Sequence, residues 1–307
     1  MSEEVKPFLS VNQQIQLLKS RGLIIQEDKL EVAKNFLLNN NYYRISGYTL
    51  TLRKNDRFYE NANIDNVIQI YELDRRIRHI ILSITEEIEV RTKSLIAYYH
   101  AKTYGAIGYQ DINCFHCLND GKVISNSIRN YLNIIHKADM QKKSMIEYEA
   151  FLSHHIKNKN GIIPFWAYVE VMTISDISKL YSLLNLNIKS NIARDFGYPH
   201  KTGYEIIDNL LHSVTILRNI CAHGGRLYNR LFIRKPKLSS KQKALLRKDE
   251  DGNVVYDKLF SYILVLKSLS IPSDFILLKN HLIEYCHLYS FVDMKHYGFP
   301  DNWVDVL

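Results

Sequence analysis

The sequence predicts a mainly α-helical protein, and three observations lead to that fold class. Apolar residues recur at three- and four-residue intervals over long stretches, which is the periodicity of amphipathic helices. The 307 residues include only 12 glycines and 6 prolines, and clusters of turn-forming residues are few. An all-β sandwich or barrel needs many such clusters, so that class is excluded. The length allows one large domain or two smaller ones with a buried core.

The first 62 residues predict a small subdomain made of a helix pair and a β-hairpin. Two short helices are expected within residues 10–38, and the first of them ends at Arg21 and Gly22. In residues 39–60 apolar and polar residues alternate, and Tyr and Thr are frequent. The alternating pattern is interrupted at residues 54–56, which is typical of the turn of a hairpin. The arrangement resembles a winged helix. Without a charged recognition helix, it indicates architecture and not DNA binding.

Residues 63–307 predict a helical domain built on one long helix. From Asn66 to about Lys102 the isoleucines and leucines keep helical spacing, which gives a helix roughly 55 Å long. Its i,i+4 pairs Asp74–Arg78, Glu87–Arg91 and Glu89–Lys93 are expected on its polar sides, the first two as solvated pairs. Further helices are predicted over residues 125–155, 164–184, 188–196, 202–223, 257–269 and 274–288.

Positive charge is concentrated in one part of the chain. The formal net charge is +8, and residues 218–248 hold ten Lys or Arg and no Asp or Glu. Such a stretch favours a polyanionic partner, nucleic acid first and membrane headgroups second; the alternative is a solvated charged loop. Membrane binding is disfavoured because Trp or Phe anchors on an amphipathic face are missing. Within the basic segment, residues 226–248, the predicted RNA-binding residues are Arg226, Arg230, Arg234, Lys235, Lys237, Lys241 and Lys243.

The N-terminus and the four cysteines predict a cytoplasmic protein without disulfides. The first ten residues have no apolar signal core, and no run of about 18 apolar residues exists. Thiols stay reduced in that compartment. Cys114, His116 and Cys117 have metal-like spacing, but a structural zinc site needs four ligands and no second pair is at hand. No metal or other cofactor is therefore expected.

The sharpest local feature is a polar stripe on the helix predicted at 202–223. At about 100° per residue, Arg218, Asn219 and His223 fall in one arc with Asp208 and His212, opposite an apolar face. Two glycines follow His223 and leave space beside the imidazole. The alternative is a plain helix end, at which a protonated histidine favours the helix dipole and the arginine pairs with an acid.

Arginine, asparagine and histidine within two turns suit phosphodiester chemistry. A guanidinium binds phosphate in a bidentate fork, and histidine titrates near neutrality and can move a proton. RNA supplies its own nucleophile, the 2′-hydroxyl, so a metal is not required. One imidazole cannot easily remove a proton on one side of the phosphorus and donate a proton on the other side. Two copies of the motif, one from each chain of a dimer, can do both. The motif therefore predicts a homodimer.

The pattern Arg218-Asn219-x-x-x-His223 resembles the Arg-x(4–6)-His signature of the HEPN superfamily, helical domains that are often metal-independent ribonucleases. More of the chain resembles the Abi family of bacterial abortive-infection proteins, of the AbiD/AbiF type, over residues 10 to 235. Tyr228, usually Trp in that family, is a modest departure. The segments that carry the resemblance are Gln13–Leu23, Asn41–Tyr48, Tyr71–Arg78, Pro164–Trp166 and Leu217–His223.

The resemblance implies phage defence, a HEPN-like helical bundle and RNA cleavage with Arg218, Asn219 and His223 as catalytic residues. In such a bundle the long helix packs beside the motif helix, where Glu86 or Glu89 could support Arg218 or His223. Asp208 and His212 are further supporting candidates. The expected partner is RNA, whether cellular, phage-derived or a small partner RNA.

Two other hypotheses stay open. The first is a non-catalytic or inhibited RNA-binding module in a toxin–antitoxin-like or RNA-partnered defence system. The second is an interaction protein that senses a phage component. A further alternative concerns four residues that can stack on unpaired bases, or whose tyrosines can pack the hairpin against its neighbours: Tyr42, Tyr43, Arg44 and Tyr48.

Overall fold

The protein folds mainly into α-helices, as the sequence predicts. The computed structural model describes residues 7–116, 118–119, 122–123 and 125–307. Up to the end of the longest helix, the elements are α1 (Val11–Ser20), α2 (Leu30–Asn40), α3 (Tyr42–Tyr48), β1 (Arg53–Lys54), β2 (Arg57–Phe58) and α4 (Ile64–Tyr104). Strands β1 and β2 pair antiparallel, with Arg53 opposite Phe58.

The rest of the described chain adds a second two-stranded pair and ten helices. The antiparallel pair is β3 (Leu118–Asn119) with β4 (Lys122–Val123). The helices are α5 (Ser125–Met145), α6 (Ala150–Asn158), α7 (Phe165–Tyr168), α8 (Ile174–Leu183), α9 (Leu186–Asp195), α10 (Gly203–Ala222), α11 (Ser240–Lys243), α12 (Leu259–Leu269), α13 (Pro272–Leu288) and α14 (Trp303–Val306). No helix among the described residues is long and apolar enough to cross a membrane.

Helix α4 is the central element of the fold. Its 41 residues extend about 60 Å. It begins with a reciprocal cap, in which Asn63 and Asn66 each accept the other's backbone N–H at 3.0 Å. The buried isoleucines along it pack against α8, α9, α10 and α13.

Helix α10 runs antiparallel to α4. Arg218 on α10 lies beside Glu89 of α4. Leu227, which follows the end of α10, hydrogen-bonds to Asp74, which lies four turns nearer the start of α4. On its other sides α10 packs against α8, α9 and α12. Helix α12 is apolar on nearly all sides and is buried from Leu259 to Leu266, as a core helix should be.

The structure differs from the predicted elements in the Tyr-rich segment. Residues Tyr42–Tyr48 form helix α3, and the hairpin is confined to residues 53–58, at the predicted break. The Asn41 side chain accepts the Tyr43 N–H at 2.9 Å and caps this helix. The ring of Tyr48 then packs in the core against Tyr71, which fixes the helix by tertiary contacts.

Two predicted long helices are each divided. The stretch 125–155 is broken between Met145 and Ala150. The stretch 164–184 is divided into α7, a 3₁₀ turn at Val169–Val171 and α8. Thr173 starts α8 because its hydroxyl accepts the Asp176 N–H at 3.3 Å, which caps a new helix.

The prediction that Asp74 and Arg78 form a solvated pair is wrong. Asp74 is 0% exposed, and Arg78 is buried beside it and donates to its carboxylate. Burial raises the pKa of Asp74, and Arg78 and the other donors oppose that rise. The carboxylate also accepts hydrogen bonds from Tyr48 Oη (2.8 Å), Tyr297 Oη (3.1 Å), Leu227 N (3.1 Å) and Tyr228 N (2.6 Å). The burial is possible because so many donors replace water.

Candidate functional site

The predicted motif occupies the last turns of α10. Arg218 and Asn219 are half-buried, and His223 is exposed at the helix cap. The helix ends in a Schellman motif: Gly224 adopts φ +64°, its N–H donates to Cys221 O at 3.0 Å, and Gly225 N–H donates to Ile220 O at 2.7 Å. Because the chain turns away at once, the imidazole of His223 stands at the surface.

A carboxylate of α4 lies beside the motif arginine. Glu89 Oε2 is 4.0 Å from Arg218 Nε, and Glu89 Oε1 is 3.2 Å from Lys93 Nζ. Glu86, the other carboxylate predicted on this helix, is exposed and makes no hydrogen bond or ion pair among the described residues. The structure therefore brings Glu89, and not Glu86, to Arg218.

Asn219 links the motif to a neighbouring helix. Its side-chain Nδ2 donates to Ser175 Oγ at 3.2 Å, and Arg218 donates to Asn219 Oδ1 at 3.4 Å. Ser175 lies in the first turn of α8. It was not predicted from the sequence, because a serine 44 residues before Asn219 carries no local signal of this contact.

Asp208 and His212 lie apart from the motif. They share its angular position on α10, but ten residues separate Asp208 from Arg218, a rise of about 15 Å along the helix axis. Both line a cavity of about 430 Å³, here called the second cleft. The structure thus does not bring these two predicted supporting residues to Arg218.

A cavity of about 570 Å³, here called the motif cleft, adjoins the end of α10. Cys221, Ala222 and Gly224 line it, whereas Arg218, Asn219 and His223 are not among its lining residues. The opposite walls carry the cationic or titratable side chains Arg44, Arg75, Arg78 and His79 together with residues 39–41. Arg78 is paired with Asp74, and Arg75 with Glu72 at 2.6 Å.

Arg44 ties α3 to the motif. Its guanidinium donates to the carbonyl oxygen of Gly224, the residue after His223. The sequence marked Arg44 as a candidate for stacking on RNA bases and gave no signal of this contact. His79 was not marked, because nothing in the spacing of α4 distinguishes it.

The three candidate tyrosines of α3 have different surroundings. Tyr48 is buried and packs in the core, Tyr42 is half-buried, and Tyr43 is 87% exposed. Core packing therefore describes Tyr48, whereas the ring of Tyr43, next to Arg44, is open to a ligand. Tyr228, the departure from the family pattern, is buried and hydrogen-bonds through its hydroxyl to Thr51 at 2.7 Å.

The basic segment is anchored along its backbone. Phe232 N donates to Asp257 O at 2.8 Å, and Tyr262 Oη donates to Arg234 O at 2.7 Å. Its arginines Arg226, Arg230 and Arg234 are half-buried. The segment also has five exposed lysines, which are Lys235, Lys237, Lys241, Lys243 and Lys248. One of them, Lys237, lies 3.8 Å from Glu205, so the positive surface is not free of acids.

The cysteine–histidine spacing near residue 115 is only partly described. Cys114 is half-buried and His116 is exposed, and Cys117 lies outside the described residues. Within the described part of the chain, no three His, Cys, Asp or Glu side chains gather in a way that could hold a metal ion.

A protein-family model described as "Abi-like protein" matches residues 35–229, which is more than half of the chain. The matched region begins in α2 and includes α3, α4 and the whole motif on α10. Most of the basic segment lies beyond it. No curated protein and no solved structure matches the chain.

Proposed function

Because the chain belongs to the Abi-like protein family, we propose that it acts in abortive infection, the bacterial defence against phage, as a HEPN-type endoribonuclease of the AbiD/AbiF kind. One observation supports this most strongly. Arg218, Asn219 and an exposed His223 lie together at the end of one helix, and Glu89 of the neighbouring helix lies beside the arginine.

In this proposal Arg218 binds the scissile phosphate. Its guanidinium is partly exposed and stays charged at any working pH. Glu89, at 4.0 Å and itself close to Lys93, limits the positions that the guanidinium can take without capturing it in a tight pair. Asn219, fixed between Arg218 and Ser175, holds this arrangement in place. The fork of N–H donors then stabilises the charge that develops on the phosphoryl oxygens.

His223 transfers the protons. As a base, its neutral imidazole takes the proton of the RNA 2′-hydroxyl, and the 2′-oxygen forms a bond to phosphorus. The bond from phosphorus to the 5′-oxygen breaks, and that oxygen takes a proton from a second, protonated imidazole. The products are a 2′,3′-cyclic phosphate and a 5′-hydroxyl. We assign the second imidazole to His223 of a second copy of the chain, since a two-fold interface pairs identical patches.

The RNA path includes the motif cleft. Arg44, Arg75 and His79 give it donors and positive charge beside the end of α10, and the exposed ring of Tyr43 offers a stacking surface. The exposed lysines of the basic segment add phosphate contacts. These contacts position RNA without specifying a sequence.

The test is cleavage of RNA by the purified full chain and by His223→Ala. We expect the variant to lose cleavage by about 10²–10⁴-fold while it keeps its fold and most of its RNA affinity, because His223 is exposed. Cleavage should persist in excess EDTA and leave 2′,3′-cyclic phosphate ends. His287→Ala is a matched control, since His287 is also an exposed histidine in the last turn of a helix.

Three outcomes contradict parts of the proposal. Cleavage that needs a divalent ion, or that occurs at a 2′-deoxy nucleotide, rejects the mechanism. A monomer at micromolar concentration with full activity, seen by light scattering, rejects the composite dimer site. A wild-type chain that holds one RNA tightly and never cuts it is an RNA-binding module instead.

A further inference from the structure

The second cleft lies on the side of α10 that carries Asp208 and His212, between α8, α9 and the basic segment. Its volume of about 430 Å³ is in the range of small-molecule pockets. Four cationic side chains line it, together with two carboxylates, Asp208 and Glu205. The cations are Lys179, Lys189, Arg234 and Lys237.

The carboxylates leave most of this positive charge without a close partner. Lys237 pairs with Glu205 at 3.8 Å. Among the described residues, Lys179, Lys189 and Arg234 form no ion pair within 4.0 Å. Burial raises the pKa of Asp208, and the nearby charges of Lys189 and Arg234 oppose that rise.

Two of these cations are held in place inside the protein. Lys189 Nζ donates to Ser182 O at 2.6 Å, which fixes the ammonium at the wall of the cleft and leaves two of its hydrogens for another acceptor. The Nε of Arg234 is enclosed and has no hydrogen-bond partner in the described part of the chain. The terminal N–H groups of Arg234 make no hydrogen bond in the described part of the chain, so they can donate to an acceptor in the cleft.

The four cations and two carboxylates give the cleft a formal net charge of +2, which favours a small ligand with about two negative charges. A phosphodiester carries one, whereas a terminal phosphate carries about 1.5 to 2 at neutral pH and offers three acceptor oxygens. Arginine binds such oxygens through paired N–H groups, and lysines add point charges. Tyr204 also lines the cleft and provides a ring beside the cations.

We propose that the second cleft binds a phosphomonoester group, carried either by a free mononucleotide or by the 5′ end of an RNA. This site is separate from the motif, and the inference does not depend on RNA cleavage. Lys179, Lys189 and Arg234 bind the phosphate oxygens.

The experiment is a calorimetric titration of the full chain with 5′-AMP and with adenosine. A second arm compares 5′-phosphorylated and 5′-hydroxyl forms of one 2′-O-methyl oligonucleotide, which cannot be cut through a 2′-hydroxyl. Arg234→Gln and Lys179→Gln should each weaken the phosphate-dependent binding about tenfold or more. Lys179 is exposed, so its substitution leaves the fold intact. Lys143→Gln, an equal charge change at an exposed lysine of α5 that lines neither cleft, is the control.

Preference for 5′-AMP over adenosine supports the free nucleotide, and preference for only the phosphorylated oligonucleotide supports the RNA end. If neither phosphorylated probe binds better than its phosphate-free counterpart, the proposal is wrong. It is also wrong if the Arg234 and Lys179 variants bind as tightly as Lys143→Gln. Neither result bears on whether His223 cleaves RNA.

Discussion

Replacing Asp74 with Asn should destabilise the whole fold, because this one side chain joins three distant parts of the chain. The carboxylate accepts from Tyr48 of α3, from Leu227 and Tyr228 after the motif, and from Tyr297 near the last helix. The amide of Asn has the same shape but is neutral. It also brings two N–H donors into a site that is already filled with donors.

The magnitude follows from the buried partner that remains. Arg78 is 4% exposed and would lose its counter-charge, and breaking a buried ion pair in this way costs about 3–5 kcal/mol. With an unfolding entropy of about 2.1 cal/mol/K per residue, a chain of 307 residues should then melt about 5–8 °C lower.

The assay is thermal unfolding by calorimetry, with urea unfolding as a second measure. Glu72→Gln is the matched control, because Glu72 also pairs with an arginine of α4, at 2.6 Å, but on a partly exposed surface. Such pairs contribute about 0–1 kcal/mol, so the control should melt within about 2 °C of wild type. If Asp74→Asn melts as high as the control, the carboxylate does not have the structural role described.

Three further predictions concern other parts of the molecule. His100 is fully buried among aromatic rings, and burial lowers its pKa to about 4, partly opposed by the Cys114 backbone. The unfolded chain takes up a proton near pH 6.5 that the folded chain resists, so wild type should lose about 3 kcal/mol as the pH falls from 6.5 to 4. In urea titrations across that pH range, the free energy of unfolding of His100→Phe should not show this part of the decline. A decline equal to that of wild type would contradict the prediction. Tyr43→Ala should weaken single-stranded RNA binding by about 1–3 kcal/mol in fluorescence anisotropy, whereas the exposed Tyr98→Ala should not; equal losses would argue against stacking. Replacing Lys235, Lys237, Lys241 and Lys243 of the basic segment together by Gln should reduce the slope of log affinity against log salt by roughly 0.7 for each lost phosphate contact, and an unchanged slope would show that they do not bind RNA.

The sequence predicted those features that depend on neighbouring residues. Helix α4 was expected from Asn66 to about Lys102 and extends from Ile64 to Tyr104, because regular apolar spacing over forty residues has no other explanation. The end of α10 was also predicted from neighbouring residues, the two glycines that follow His223. Even the proximity of a carboxylate on α4 to Arg218 was anticipated, although only the family resemblance placed the two helices side by side.

What the sequence did not predict depends on distant residues. Asp74 and Arg78 have the spacing of a solvated pair, and nothing nearby indicates that donors more than 150 residues away enclose them. Tyr42–Tyr48 has the composition of a strand, yet the cap at Asn41 and the core around Tyr48 make it a helix. A helical wheel gives an angle and not a height, which is why Asp208 was grouped with Arg218.

The hydrogen bonds of Asp74 also set an order for folding during synthesis. Chains fold from the N-terminus as they are made, but Tyr228 follows Asp74 by 154 residues and Tyr297 follows it by 223. Until those residues exist, the carboxylate lacks most of the donors that make its burial tolerable, so α4 cannot take its final surroundings. The contact between α4 and the end of α10 therefore forms only after residues 227 and 228 have been made.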